Sequence, residues 1–345
     1  MGKKIILKGM CELELQEYCK NLHVPSFHGS QLYRWMYKNN CQDIGNMNNI
    51  PKKLRQEISK HALIKLLSVK IKSQSKIDKT TKFLLETNDN KYIETVSMIE
   101  NDRHTICLSS QIGCSVDCDF CATGKMGIVR NLSSGEIIEQ LIIINNNIKK
   151  PITNIVFMGM GEPFLNYRNV IKSCKILCDH NGFNLSSKRI TISTSGILPK
   201  IDLYIKEKHK YKIAISLNAS NDNFRDTIMP LNKKWNIKSL IKSIKKYQFF
   251  DSRPIMFEYV LLKGLNDSEE DAIKLANILK GIKCKVNLIP FNEIKGNYKR
   301  PDNKQISCFS ETLNKSNSDL IVLTRWSKGE DINAACGQLA TTNES

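Results

Sequence analysis

Apolar residues in the first eighty positions recur at the three- and four-residue spacing of amphipathic helices. The segment SQLYRWMYK places Leu32, Trp35 and Met36 on one helical face. Pro51 is suited to the first turn of a further helix, where its missing N–H costs no hydrogen bond. We therefore predict that residues 1–80 form a small helical unit.

The period changes after residue 80. The runs KFLLE and YIETV flank the turn-forming residues Asn88, Asp89 and Asn90, a pattern typical of a β-hairpin. From residue 104 onwards, strand-like and helix-like segments alternate. The predicted strands are 104–109, 154–158, 189–193, 212–217, 254–262, 285–289 and 320–324. The predicted helices between them are 133–146, 167–181, 199–208, 237–249, 268–279 and 303–314.

This alternation predicts an α/β fold with a parallel sheet and right-handed crossovers. A complete eightfold barrel takes ~250 residues and this region has about 220, so we favour an incomplete barrel of about six βα units. A doubly wound open sheet is the alternative. The predicted division is a helical domain at 1–80, a hairpin linker at 81–103, the barrel at 104–325 and a tail at 326–345.

The net charge is strongly positive, with 52 basic and 34 acidic residues giving +18. Residues 1–80 hold 15 basic and 6 acidic residues, a net charge of +9. A nucleic acid partner would explain this excess. The alternative is genomic base composition, because Lys, Asn and Ile are abundant and only ten of the basic residues are Arg.

No run of apolar residues is long enough to cross a bilayer, and the first residues do not resemble a secretory signal. We therefore expect a cytoplasmic protein with no membrane partner. Its twelve cysteines should then be reduced thiols, ligands or catalysts rather than disulfides.

Three of those cysteines follow the first predicted barrel strand as C-x3-C-x2-C: Cys114, Cys118 and Cys121. Thiolates are the usual ligands of iron–sulfur clusters. Three protein ligands leave one iron of a four-iron cluster free to bind the amino and carboxylate groups of S-adenosylmethionine. The alternative is structural zinc with Cys107 as the fourth ligand. Zinc sites more often pair two C-x2-C units, so the spacing favours the cluster.

Small and polar residues stand where the other predicted strands end, the face at which barrels bind ligands. The glycines of GMGEP allow a ligand to approach the backbone closely, and its carboxylate can receive an ammonium group. Ordinary turn chemistry is the alternative for each residue taken singly. The candidate cofactor-binding residues are Gly161, Glu162, Ser193, Ser216, Leu217, Asn218 and Asn292.

Taken together, these motifs resemble the radical S-adenosylmethionine superfamily, and within it the RlmN-like adenosine C2 methylating enzymes of bacteria. The matching stretches are YIETV, CLSSQIGC, GMGEP, STSG and DINAACGQL, at 92–96, 107–114, 159–163, 193–196 and 331–339. The resemblance covers nearly the whole chain and is weakest in 1–80, which it makes an accessory RNA-binding domain. It implies a radical-SAM partial barrel that methylates one adenosine of 23S rRNA and the adenosine 3′ of the anticodon in some tRNAs.

The resemblance also implies roles for three further residues. Cys336 would accept a methyl group from one S-adenosylmethionine, and a second molecule would be cleaved to the radical that activates this methyl group. Cys107 would then form a transient disulfide with Cys336 and release the product. Glu94 would be the proton acceptor. One [4Fe–4S] cluster and a reductant such as flavodoxin complete the expected system.

Two other functions remain open from the sequence. A relative that methylates adenine C8 and confers antibiotic resistance shares most of these motifs, although Pro163 and Ser195 look more like the C2 enzymes. A zinc-stabilised RNA-binding protein without enzymatic activity would also fit the charge and the cysteines.

Overall fold

The computed structural model describes residues 4–251 and 253–341. Its helices are α1 (Glu12–Asn21), α2 (Phe27–Tyr37), α3 (Lys52–His61), α4 (Ala122–Lys125), α5 (Ser134–Asn147), α6 (Tyr167–Cys178), α7 (Leu198–Lys206), α8 (Asp222–Ile228), α9 (Ile237–Phe250), α10 (Glu269–Ile278) and α11 (Asn303–Ser316).

Fourteen strands accompany these helices in the described residues. They are β1 (Ile5–Ile6), β2 (Ala62–Leu63), β3 (Leu67–Gln74), β4 (Thr81–Thr87), β5 (Tyr92–Glu100), β6 (Arg103–Cys107), β7 (Gln111–Gly113), β8 (Ile128–Asn131), β9 (Asn154–Phe157), β10 (Ile190–Thr194), β11 (Lys212–Ser216), β12 (Ile255–Leu261), β13 (Cys284–Pro290) and β14 (Ile321–Thr324).

Ten of these strands form one sheet in the order β14-β13-β12-β11-β10-β9-β6-β5-β4-β3. The seven from β6 to β14 are parallel and follow one another in chain order. A doubly wound sheet would reverse direction at a switch point, and this sheet does not. The two end strands do not pair with each other, so the predicted α/β partial barrel with about six βα units is confirmed.

The N-terminal helices form as predicted, but the prediction that all of residues 1–80 are helical is wrong. Residues 67–74 form β3, which pairs with β4 as the last strand of the large sheet. The run LSVKIKSQ alternates apolar residues (Leu67, Val69 and Ile71) with polar ones, which is a two-residue strand period. The prediction overlooked this signal because it extended the helical reading of the preceding segments. The hairpin of β4 and β5 is likewise an integral part of the sheet, because β5 pairs with β6.

Buried polar contacts join the N-terminal helical unit to the barrel. Glu139 of α5 accepts hydrogen bonds from the Leu66 N–H at 2.5 Å and from Gln42 Nε2 at 2.9 Å. Ser134 Oγ of α5 donates to the Gly9 carbonyl at 3.1 Å. The two units therefore share one core, in which the helical unit packs beside α5.

The C-terminal tail, residues 326–341 of the described chain, bridges the two ends of the open sheet. It leaves β14 and reaches the strands at the other end, where the Gly329 N–H donates to Asp78 Oδ2 at 2.8 Å. Lys82 Nζ donates to the Asn333 carbonyl at 3.2 Å. We call the gap that the tail covers, between β14 and β3–β5, the seam.

Among the described residues, no helix has both the length and the apolar character that a membrane crossing requires.

Candidate active site

The cysteine loop lies between two short strands that the sequence did not predict. β7 pairs with β8 in a separate two-stranded sheet that brackets Cys114, Cys118 and Cys121. The Cys114 N–H donates to the Gly127 carbonyl at 2.8 Å. Gly113 has φ +73°, and a Cβ at this position would overlap that carbonyl oxygen, so only glycine allows the two strands to approach this closely.

All three loop cysteines line one cavity at the C-terminal ends of the barrel strands. Burial raises the pKa of the Cys114 thiol to about 12 and also raises those of Cys118 and Cys121. Backbone N–H groups near Cys114 and Cys121 oppose this rise. Neighbouring thiols on one loop favour binding of a positively charged metal group, which takes thiolates as ligands. The donor set therefore fits an iron–sulfur cluster.

These three thiols line a wall of the cavity rather than surround one point. Across the described residues, no group of three His, Cys, Asp or Glu side chains is arranged to hold a single metal ion. The cavity has about 940 Å³ of free space when the part open to solvent is counted, a size typical of a small-molecule site.

Glu162 lies in this cavity, and its carboxylate is held in place by the end of β10. Oε2 accepts hydrogen bonds from the Ser195 N–H at 2.8 Å and the Ser195 hydroxyl at 2.7 Å, and Oε1 accepts from the Phe164 N–H at 2.9 Å. Burial raises the pKa of Glu162, and the Ser195 and Phe164 N–H groups oppose that rise. Gly161, at φ +95°, has no room for a Cβ beside Gln111.

Ser193 and Ser216 meet in the same cavity, around a carboxylate that sequence analysis missed. Ser193 Oγ donates to Glu258 Oε2 at 2.6 Å, and Ser216 Oγ donates to the same oxygen at 3.2 Å. Glu258 is buried on β12. The sequence IMFEYVL around Glu258 is typical of an ordinary buried strand. The available signal for a site residue was a single carboxylate within this apolar run.

Asn218 lines the cavity, but Leu217 does not. The Asn218 side-chain oxygen accepts from the Val260 N–H at 3.0 Å. Leu217 is a fully buried core residue whose carbonyl accepts from Arg225 Nε at 2.9 Å. Alternation along the strand end turns the Leu217 side chain towards the core, so a contribution of Leu217 to the cofactor site stays a prediction that would involve its backbone.

Asn292 connects the barrel to the tail. Its side-chain Nδ2 donates to the Cys336 carbonyl at 2.9 Å, and its Oδ1 accepts from Arg300 Nη2 at 3.0 Å. On the cluster side, the Ala122 N–H donates to the Gly337 carbonyl at 2.7 Å. These contacts hold the segment around Cys336 against the cavity.

Cys336 sits in a tight turn, as its small neighbours predict. Gly337 has φ +83°, and the Gln338 N–H donates to the Ala335 carbonyl at 3.1 Å across the turn. Ala334 is buried, whereas Cys336 is only half-buried. The turn therefore presents the Cys336 side chain to the cavity.

Cys336 also lines a second, larger cavity, which runs along the inner face of the barrel to the seam. Its free space is about 2010 Å³, again counting the part open to solvent. Cys107 lines only this second cavity, whereas Cys336 and Met158 line both. Burial raises the pKa of the Cys107 thiol to about 12. The structure thus brings together two cysteines that are 229 positions apart in the sequence.

Arg325, a residue that sequence analysis missed, lies beside both cysteines in the second cavity. Its Nη1 donates to Met158 Sδ at 3.4 Å. The charge of a Cys336 thiolate raises the pKa of Arg325 against the effect of burial, and Glu258 and Cys107 act in the same direction. A lone Arg after a predicted strand carries no pattern that would have singled it out.

Glu94 is buried near the tail but lines neither cavity. Its Oε1 pairs with Lys82 Nζ at 2.8 Å, and its Oε2 accepts from the Ala340 N–H at 3.0 Å. Burial raises the pKa of Glu94, and Lys82 opposes this. The neighbouring Leu339 does line the second cavity, so Glu94 lies just behind its wall.

Comparison with known families agrees with this arrangement. Residues 108–276 match the Radical SAM superfamily, and residues 5–64 match the ribosomal RNA large subunit methyltransferase N-terminal domain. The "Probable dual-specificity RNA methyltransferase RlmN" of Pseudothermotoga lettingae is 43% identical, with 94% of each chain covered. The "Dual-specificity RNA methyltransferase RlmN" of an Anaeromyxobacter species is 41% identical, over 91% of this chain and 85% of that protein.

A solved structure agrees over the whole fold. The crystal structure of a radical SAM methyltransferase from Sphaerobacter thermophilus has a TM-score of 0.94 and 38% sequence identity, and it covers 98% of this chain and 100% of its own. The chain belongs to the RlmN family of radical SAM dual-specificity RNA methyltransferases.

Proposed function

We propose that this chain methylates C2 of one adenosine in 23S rRNA and of the adenosine 3′ of the anticodon in some tRNAs. The reaction uses a methylated Cys336 and a transient disulfide with Cys107. Family membership supports RNA methylation by radical chemistry. The observation that carries the two-cysteine route is the position of Cys336 between the two cavities, with Cys107 on the far side.

The first cavity has the residues to hold the cofactors. Cys114, Cys118 and Cys121 would bind one [4Fe–4S] cluster, and Glu162 would receive the ammonium group of S-adenosylmethionine. The rest of the site is lined by Gly161, Ser193, Ser216, Asn218 and Asn292. Asn292 also holds the tail in place through its hydrogen bond to the Cys336 carbonyl. When bound, the cluster and the sulfonium cofactor supply the 5′-deoxyadenosyl radical, and two cofactor molecules serve each turnover.

Cys336 is the methyl acceptor because its sulfur faces the cofactor cavity. A thiolate is nucleophilic whereas C2 of adenine is not, so the first methyl transfer goes to sulfur. Arg325 lies beside Cys336 in the second cavity and places a positive charge next to its sulfur. The adenine then occupies the second cavity, where the methyl carbon on Cys336 can be joined to C2.

Release of the product needs Cys107 and Glu94. Once the S-methyl group has lost a hydrogen atom and its carbon has joined C2, the RNA–protein adduct carries an unpaired electron. Glu94, behind the wall at Leu339, takes the proton from C2, and the unpaired electron would return to the oxidised cluster. The Cys107 thiolate attacks the Cys336 sulfur, so that an S–S bond forms as the sulfur–carbon bond breaks. The electron pair stays with the carbon, which is protonated to give the methyl group. Because Glu94 is held by Lys82 and the Ala340 N–H, a shift of the tail accompanies its action.

The basic N-terminal unit is the proposed contact for the RNA backbone. Residues 1–80 carry half of the net charge, and phosphate contacts of this kind position a substrate without reading its sequence. The target base is extruded from its stack to reach the second cavity. A low-potential electron carrier such as flavodoxin is the proposed reductant for the cluster.

The decisive experiment maps the modified atom. Anaerobically reconstituted protein is incubated with S-adenosylmethionine, a reductant and rRNA or tRNA fragments, and the nucleosides are identified by mass spectrometry. We expect 2-methyladenosine on both RNA classes. 8-Methyladenosine would assign the chain to the C8 chemistry instead, and absence of methylated adenosine from iron-loaded protein would contradict the proposal.

Changing Cys107 to Ala tests the release step. We expect Cys107→Ala to accumulate a covalent RNA–protein adduct at Cys336, because no thiol remains to displace the product. The adduct is measured by denaturing gel shift and by mass spectrometry of the Cys336 peptide. Cys308→Ala, a half-buried cysteine on α11 outside both cavities, is the matched control and should turn over normally. Free product at the wild-type rate from Cys107→Ala would rule out its assigned role.

A further inference from the structure

The proposed reaction leaves Cys107 and Cys336 oxidised, so each turnover ends with a disulfide that must be reduced. The two sulfurs differ in their surroundings. Cys336 borders the cofactor cavity as well as the second cavity, whereas Cys107 borders the second cavity alone. A bound cofactor therefore shields one side of the disulfide and leaves the Cys107 side facing the second cavity.

The second cavity connects Cys107 to the protein surface. Its inner wall includes Thr105 on β6 and Thr191 on β10, two barrel strands that are separated by β9. Its outer rim includes Ile77, which is 80% exposed, and Trp326, which is 52% exposed. A small molecule can thus approach Cys107 from the seam without passing the cluster loop.

We propose that the second cavity, once the methylated RNA has left, admits a small dithiol that reduces the Cys107–Cys336 disulfide from the seam side. This inference rests on the proposed function, because only that reaction forms the disulfide. A folded protein dithiol is too large to enter a cavity of this kind, so the reductant is expected to be a small molecule.

The exchange begins at Cys107 and consumes one dithiol. A thiolate of the reductant attacks Cys107 Sγ, forms a mixed disulfide and expels Cys336 as a thiolate. The second thiol of the reductant then attacks the reductant's first sulfur, which is bonded to Cys107 in the mixed disulfide, and releases Cys107. Two electrons and two protons pass to the cysteines, and the dithiol leaves as a cyclic disulfide.

Arg325 places a positive charge beside the sulfur that the exchange expels. Its guanidinium lies in the same cavity, beside Met158 and both cysteines. Exchange is faster when the expelled thiolate is stabilised. The expelled Cys336 thiolate is also the form needed for the next methyl transfer, so reduction from this side prepares the following cycle.

The test uses the anaerobic, cluster-loaded full chain, oxidised with diamide and checked for the Cys107–Cys336 disulfide by peptide mass spectrometry. Reduction by dithiothreitol is followed with and without saturating S-adenosylmethionine, and with and without an RNA fragment. We expect the cofactor to change the rate by less than about twofold and the RNA to slow it by about tenfold, because access limits exchange. Reduction by thioredoxin should be slow.

Two variants at one position sharpen the test. Thr105→Phe fills the cavity two residues before Cys107 on the same strand face and should slow reduction by about tenfold. Thr105→Ser keeps the hydroxyl that accepts from Arg103 Nε and should reduce at nearly the wild-type rate. Strong inhibition by the cofactor but not by RNA would place the route in the first cavity and overturn the inference.

The two proposals fail in different ways. If diamide produces no Cys107–Cys336 disulfide in the folded holoprotein, the reduction route is wrong. Methyl mapping on RNA needs no external oxidant, so it judges the proposed function independently. The reduction measurements with and without cofactor and RNA use the wild-type chain. They test the route even if Thr105→Phe does not fold.

Discussion

At the scale of single residues, Arg225 joins two strand ends that line the first cavity. It is fully buried and donates through Nη2 to the carbonyls of Ser195 and Ser216, at 2.8 and 3.1 Å. Nη1 donates to Asn232 Oδ1 at 2.9 Å. Burial lowers the pKa of Arg225 to about 10, against the attraction of Cys118 and nearby aspartates. One side chain therefore fixes the ends of two barrel strands that carry candidate cofactor residues.

Replacing Arg225 by Met should destabilise the fold by about 3 kcal/mol or more, because several buried carbonyl oxygens would lose their donor. Urea denaturation of the apoprotein measures this loss. Arg168→Met on the exposed face of α6 is the matched control and should change the free energy of unfolding by less than about 0.5 kcal/mol. Equal stability of the two variants would show that Arg225 is not a structural anchor.

At the scale of elements, local sequence signals set several boundaries correctly. Ser133 and Glu136 form the predicted capping box at the start of α5: Ser133 Oγ accepts from the Glu136 N–H at 3.2 Å, and Glu136 Oε2 accepts from the Ser133 N–H at 2.8 Å. Glu136 also pairs with Arg130 of β8 at 2.8 Å. The cap thus links the helix to the hairpin around the cysteine loop.

Removing this cap should cost measurable stability. Ser133→Ala should lower the free energy of unfolding by about 1 kcal/mol, because the first-turn N–H of Glu136 loses its acceptor. Thermal denaturation of the apoprotein checks the value. Ser239→Ala, at an exposed position early in α9, removes a hydroxyl that caps no helix and should have little effect. A loss as large in Ser239→Ala would refute the capping explanation.

The cysteine tail is an element whose position depends on partners throughout the chain. Thr123 Oγ1 donates to the Leu339 carbonyl at 2.5 Å beside the cluster loop, while Glu94 and Lys82 hold the tail from the other side of the seam. No local signal in DINAACGQL predicts these contacts. They are the reason that Cys336 reaches the boundary between the cavities.

At the scale of the whole molecule, stability should fall in mild acid. His104 is fully buried between the Ser97 hydroxyl, at 2.8 Å from Nε2, and the Lys150 carbonyl, at 2.9 Å from Nδ1. Burial lowers the pKa of His104 below its usual 6.5. The unfolded chain therefore binds a proton at a higher pH than the folded one. The contribution of neutral His104 to the free energy of unfolding is complete above pH 6.5 and is lost as the pH falls through the folded pKa.

The His104→Gln variant should show a smaller loss of stability between pH 7.5 and pH 5.5 than the wild type, because it removes that proton uptake. Urea denaturation of the apoproteins at the two pH values gives the comparison. His180→Gln is the control, since His180 is largely exposed and should leave the pH dependence unchanged. An identical pH dependence in His104→Gln and wild type would exclude His104 as the cause.

The amino-acid sequence by itself determined the alternation of strands and helices, the partial barrel and the cysteine loop. These follow from local periodicity and from ligands that lie within eight residues of one another, so short-range chemistry is sufficient to predict them. The resemblance to the RlmN-like enzymes added Cys107, Cys336 and Glu94, which have no such local pattern.

Only the tertiary structure decided which distant groups meet. It placed β3 in the sheet, turned Leu217 into the core, and added Glu258 and Arg325 to the cavities. These outcomes depend on pairing and burial between segments far apart in the chain, where each residue's local pattern is compatible with several positions. The packing of the tail across the seam, which no local pattern encodes, sets Cys336 between its two cavities.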